Sequence, residues 1–118
     1  MNTNSILHSK SYDFALRIIK LAVFLRSKKR EFILSKQIVR SGTAIGALIQ
    51  ESEFAQSNAD FINKLSIALK EANETQYWLN LLKDSQYIDE CQHKSIISNC
   101  NELVALLVAS IKTLKSKQ

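Results

Sequence analysis

Arg40-Ser41-Gly42-Thr43-Ala44-Ile45-Gly46-Ala47-Leu48-Ile49-Gln50-Glu51, followed after a short gap by Ser57-Asn58-Ala59-Asp60-Phe61-Ile62-Asn63-Lys64-Leu65-Ser66-Ile67-Ala68-Leu69-Lys70-Glu71-Ala72-Asn73-Glu74-Thr75-Gln76-Tyr77-Trp78-Leu79, decides the fold. The first run sets Gly42 and Gly46 inside a helical pattern, where each glycine costs about 1 kcal/mol against alanine. Such a cost points to a packing constraint. Ser41, Gly42, Ala44, Gly46 and Ala47 leave a shallow surface on which another helix can approach closely. In the second run the hydroxyl of Ser57 stands three residues before Asp60, a pair that satisfies the free amides opening a helix. Phe61, Leu65, Ala68, Leu69, Ala72, Leu79 and Leu82 then recur at the spacing of one inward face.

Outward from these two helices the same period continues. Phe14, Ile18, Leu21, Ala22 and Leu25 predict a helix over about Ser11 to Arg30, with Ser9 or Ser11 as its cap. Ile38, Ile45, Leu48 and Ile49 give the stripe of a helix over about Leu34 to Phe54. Asp89-Glu90-Cys91-Gln92 resembles a capping box, and Ile96, Cys100, Leu103, Val104, Leu107, Ile111 and Leu114 carry a last helix to about Lys115. The 118 residues include no proline and only two glycines, so the punctuation that β-hairpins need is missing. The reading is all-α: one domain over residues 1–118, an up-down-up-down antiparallel four-helix bundle with helices roughly 30 to 40 Å long.

Composition narrows function mainly by exclusion. With 46% hydrophobic and 23% charged residues the chain reads as an ordinary globular protein. The start, Met1-Asn2-Thr3-Asn4-Ser5, has no basic segment leading into an apolar one, and no uninterrupted apolar run approaches the roughly 18 residues of a membrane span. A cytoplasmic protein with no membrane partner is expected. Cys91 and Cys100 fit neither a redox Cys-x-x-Cys nor a zinc spacing. No Glu-x-x-His pairs provide the ligands of a di-metal bundle, and no serine or cysteine stands in a recognisable nucleophile arrangement. We therefore expect no catalytic residues, metal or cofactor.

The net charge of +5 is unevenly spread. Residues 1–50 hold nine lysines and arginines against two acids, a balance of +7, while residues 51–118 hold seven against nine, a balance of −2. A basic half can meet nucleic acid through phosphate contacts and counterion release, or it can meet the acidic half of another copy. The run Arg26-Ser27-Lys28-Lys29-Arg30 closes the first helix. Its cations complement the negative end of the helix dipole, and Arg26, Lys28, Lys29 and Arg30 are also the candidate phosphate contacts.

On the third helix Lys70 and Glu74 stand four residues apart and can pair on one exposed face. Alternatively they join Glu71, Asp60, Lys64, Arg40 and Glu51 in a polar network between helices or subunits. Adjacent Tyr77 and Trp78 project about 100° apart on a helix, so only one can point centrally into the core. The other faces outward or into a subunit contact, where large aromatics act as anchors.

The strings Arg40-Ser41-Gly42-Thr43, Ala55-x-Ser57-x-x-Asp60-Phe61 and Lys64-Leu65-x-Ile67-Ala68-x-Lys70-Glu71-Ala72-x-Glu74-Thr75-x-Tyr77-Trp78-Leu79 resemble the bacterial four-helix-bundle family of 23S rRNA-intervening-sequence proteins. Tyr12-x-Phe14-Ala15 and Ile111-Lys112-Thr113 extend the resemblance over nearly the whole chain. Ala44 and Leu48 depart from the serine and asparagine common in the family. The resemblance implies a homo-oligomer, a barrel-shaped pentamer, with Arg40, Gly42, Glu51, Asp60, Lys64, Lys70, Glu71, Glu74, Tyr77 and Trp78 as motif or interface residues. It leaves three partners open besides self: RNA or other nucleic acid, a protein, or a reverse transcriptase as in a related retroelement branch.

Overall fold

The computed structural model describes residues 3–117. Four helices follow one another, α1 (Thr3–Lys28), α2 (Leu34–Ser52), α3 (Asn58–Asp84) and α4 (Glu90–Ser116), joined by connections of five residues each. Connections this short force sequential neighbours to run antiparallel. Each helix packs on its two neighbours and none on the helix diagonally across. The result is the expected all-α, up-down-up-down bundle, 47 Å long and 22 Å across.

The core follows the sequence stripes closely. Phe14, Ile18 and Leu25 of α1, Ile38, Ile45 and Ile49 of α2, Leu65, Ala72 and Leu79 of α3, and Cys100, Leu103 and Leu107 of α4 are all buried. By length and mean hydropathy alone, α4 is apolar enough to cross a bilayer, a property that a search for uninterrupted apolar runs misses. Its inward stripe from Ile96 to Ile111 lines the core here.

Three expected boundaries move, and the end of α1 is one of them: the helix stops at Lys28 rather than Arg30, leaving Lys29 and Arg30 in the connection. Helix α1 begins eight residues before Ser11, so neither Ser9 nor Ser11 caps it. Ser11 is buried, and its hydroxyl donates to the His8 carbonyl oxygen at 3.2 Å. Fully buried Leu7 continues the core face two turns before Phe14, but the polar stretch His8-Ser9-Lys10-Ser11 hides that periodicity. Helix α2 stops at Ser52 rather than Phe54, which is exposed. The caps of α3 and α4 are those expected. Ser57 accepts from the Asp60 amide, while Asp89 and Gln92 complete a capping box.

The glycines sit where α2 crosses α1. A Cβ on Gly42 would lie 2.8 Å from Cγ1 of Ile18, whereas one on Gly46 would reach only 3.4 Å from the Ser11 carbonyl oxygen. Gly42 is therefore required by contact, and Gly46 merely permits it.

The start of α2 is capped by a residue that its local pattern does not announce. Glu31 is buried, and its carboxylate accepts from the amides of Ile33 (2.9 Å), Leu34 (2.7 Å) and Ser35 (2.7 Å). The Ser35 hydroxyl returns a bond to the Glu31 carbonyl oxygen. A carboxylate at this place satisfies orphan donors and complements the positive end of the helix dipole.

Candidate functional site

Antiparallel packing of α2 on α3 brings residues from the two quoted runs face to face. Arg40 Nη1 lies 3.3 Å from Glu71 Oε1, and Nη2 donates to Glu74 Oε2. The same Glu74 oxygen accepts the Trp78 indole N–H at 2.9 Å, one helical turn on. Beneath this plate the Thr75 hydroxyl donates to the Glu71 carbonyl oxygen at 2.8 Å and lies 2.9 Å from the buried Ser41 hydroxyl. Lys64 pairs separately with Glu51 at 3.2 Å. The sequence-level network between helices thus forms in two pieces, around Arg40 and around Lys64.

Two of its expected members do other work. Asp60 stays at the helix start, its carboxylate accepting from the Gln56 amide at 3.2 Å. Lys70 is exposed and makes no ion pair among the described residues. The Lys70–Glu74 pair, one of the two readings of this face, is therefore absent, because the Glu74 carboxylate instead accepts from the Arg40 guanidinium of α2 and from the Trp78 indole one turn on along α3. Of the adjacent aromatics, Trp78 packs half-buried against the core and Tyr77 faces outward, its ring set edge-on to the indole at 5.1 Å.

The basic run lies at one end of the bundle. Arg26, Lys28, Lys29 and Arg30 are all exposed, and none makes an ion pair among the described residues. Arg26 Nε reaches the Ser35 hydroxyl at 3.4 Å, and Lys29 Nζ lies 5.9 Å from the Phe24 ring centre. Arg30 takes a left-handed backbone conformation, φ 55°, as the chain leaves α1. At the same end, burial together with the Lys83 cation lowers the His93 pKa below its ordinary 6.5, and His93 Nε2 stands 2.8 Å from Asn80 Oδ1. Burial pushes the Cys100 thiol up to about 12. Among the described residues no three His, Cys, Asp or Glu side chains gather to hold a metal ion.

Sequence reasoning missed one surface altogether. Tyr12, Leu16, Ile19 and Val23 are exposed along α1, Tyr12 by 67% and Val23 by 59%. Their spacing of four, three and four residues puts them on one stripe, turned away from the core stripe of Phe14, Ile18 and Leu25. The spacing was available in the sequence, but one apolar face per helix is the usual expectation for a bundle. Phe32 and Ile33, exposed by 56% and 76% at the turn beside the basic run, were likewise not singled out.

These features define a small all-helical bundle held by a glycine crossing and an inter-helix ion-pair plate. The family model described as 23S rRNA-intervening sequence protein matches residues 3–109, and the chain belongs to that family. A solved protein of unknown function from the S23 ribosomal protein family of Bacteroides thetaiotaomicron is similar throughout: 53% sequence identity over 94% of this chain and 99% of that one, with a TM-score of 0.93. No curated protein matches.

Proposed function

We propose that this chain is a non-catalytic, self-associating scaffold whose repeated basic ends bind nucleic acid. The observation that carries self-association is the α1 stripe of Tyr12, Leu16, Ile19 and Val23. Large apolar side chains gathered on an exposed helix face mark an interaction surface more often than scattered ones do. A second copy is the occupant in this reading, and five copies is the number that the family resemblance implies. A ring of that kind repeats Arg26, Lys28, Lys29 and Arg30 around its axis, so phosphate contacts too weak singly reinforce one another.

Light scattering at tens of micromolar tests the first half. The native protein should run at a multiple of its 13.4 kDa, and Leu16→Asp with Ile19→Asp should reduce it to a monomer with its helix content intact. A monomeric native protein overturns self-association. The second half is tested by filter binding of RNA at about 50 and 200 mM salt, where several phosphate contacts predict a steep loss of affinity. Equal affinity in a protein with all four cations neutralised removes the nucleic-acid reading and leaves a protein-interaction scaffold.

A further inference from the structure

We infer that the α1–α2 turn is a stacking tip for unpaired nucleotides, an inference that rests on the nucleic-acid reading and names the ligand class. Between Arg26 and Lys36 the chain carries five cations, Arg26, Lys28, Lys29, Arg30 and Lys36, all exposed, and one acid. That acid is Glu31, whose two carboxylate oxygens are turned inward onto the backbone amides of Ile33, Leu34 and Ser35 at the entry to α2 and withdrawn from the surface. Glu31 thereby leaves the cations without a local ion-pair partner and fixes the turn from beneath.

The same anchoring pushes the two residues that follow into solvent. Phe32 is 56% and Ile33 76% exposed, although both are side chains that a bundle normally buries. An exposed aromatic flanked by cations on both sides offers what single-stranded nucleic acid needs: a face on which a base stacks and positive charge for the phosphates on either side. A paired duplex keeps its bases stacked on one another and would use only the cations, leaving Phe32 and Ile33 in water. The exposed cations on α1, the turn and α2 put the anion path of this proposal along the outer side of those two helices. On the other side of Lys29 the groove toward the α3–α4 turn carries Asp84, Asp89 and Glu90 against the one further cation Lys83, a balance that disfavours phosphate.

The test measures fluorescence anisotropy of a labelled twelve-nucleotide oligouridine and of a blunt RNA duplex against the full chain and its Phe32→Ala and Phe32→Trp variants, with circular dichroism and light scattering confirming unchanged fold and assembly. Phe32→Ala should weaken oligouridine binding by about 5- to 150-fold, the range of one lost base stack, and shift duplex binding less than about twofold. Phe32→Trp should retain binding. If Phe32→Ala leaves oligouridine affinity unchanged while neutralising the cations abolishes it, the stacking tip is wrong and the phosphate reading survives. If the native protein binds neither RNA, both fall. If Phe32→Ala instead abolishes binding to vesicles containing anionic lipid and spares oligouridine, the tip is a lipid anchor and the inference is overturned.

Discussion

Replacing each glycine of α2 with alanine separates the two roles that glycine plays in this fold. At Gly42 the new methyl would lie 2.8, 3.0 and 3.3 Å from Cγ1, Cγ2 and Cβ of Ile18. Ile18 is fully buried and branched at Cβ, so no rotation of its side chain clears all three contacts, and α1 must move away from α2. Overpacking of this kind costs about 1 to 3 kcal/mol, against a gain of about 1 kcal/mol in helix propensity. Gly42→Ala should therefore fall between neutral and about 2 kcal/mol destabilised. At Gly46 the nearest atoms, the carbonyl oxygen and hydroxyl of Ser11, stand at 3.4 Å, which is ordinary contact. Gly46→Ala should keep most of its propensity gain, about 0.5 to 1 kcal/mol of stabilisation. Urea unfolding followed by helix circular dichroism reads both values. Protein concentration must be held equal, because unfolding of an oligomer depends on it. Two variants shifted in the same direction by similar amounts would refute the argument that contact with Ile18 is what requires Gly42.

Three further outcomes follow from the turns and the basic end. Glu31→Ala removes the acceptor of three amide bonds and should cost about 2 kcal/mol; a loss under about 0.5 kcal/mol in the same urea assay would mean water replaces the carboxylate. Gln86 ends α3 in a left-handed conformation, φ 68°, with the Tyr87 amide returning to the Leu82 carbonyl, so Gln86→Gly should stabilise by about 1 kcal/mol, and a destabilised variant would contradict this. His93 should titrate below 6.5 by NMR because burial and then Lys83 oppose its charge. The unfolded chain then binds more protons, so this contribution to stability is fully present above pH 6.5 and is lost as pH falls through the folded pKa. Lys83→Met should move the midpoint upward, and an unmoved midpoint would remove Lys83 as a cause.

The bundle was legible in the sequence because its signals are local and agree with one another. Short connections, two readable caps and four apolar stripes leave little freedom in topology. The ion-pair plate was half legible. Arg40, Glu71 and Glu74 were candidates, but which partner each takes depends on the level at which α2 lies against α3, and spacing along one helix favoured Lys70 instead. Glu31 was not legible at all, since a glutamate three residues before a helix reads as part of a charged turn until the chain folds it back onto the amides. The outer stripe of α1 was present in the spacing of Tyr12, Leu16, Ile19 and Val23. It was overlooked because core and surface stripes share a period, and only burial tells them apart.

The charge asymmetry between the halves of the chain has a use inside each copy. Arg40 meets Glu71 and Glu74, and Lys10 meets Glu102 at 3.1 Å, so part of the basic half already faces acidic residues of the second half without any neighbour. Two of the surfaces left outside bear on assembly and binding: an apolar stripe on α1 and a basic run at one end that makes no ion pair among the described residues. Salt should separate them. Screening at 0.5 M shortens the reach of charge to a few ångströms, whereas apolar burial is not weakened by it. Sedimentation at about 50 and 500 mM salt should therefore give the same assembled mass, while RNA affinity collapses over the same range. Dissociation of the assembly at the higher salt would place charged groups at the contact between copies. It would shift the interface from α1 to Glu71 and Glu74, with their intramolecular pairing to Arg40 exchanged for pairing across subunits.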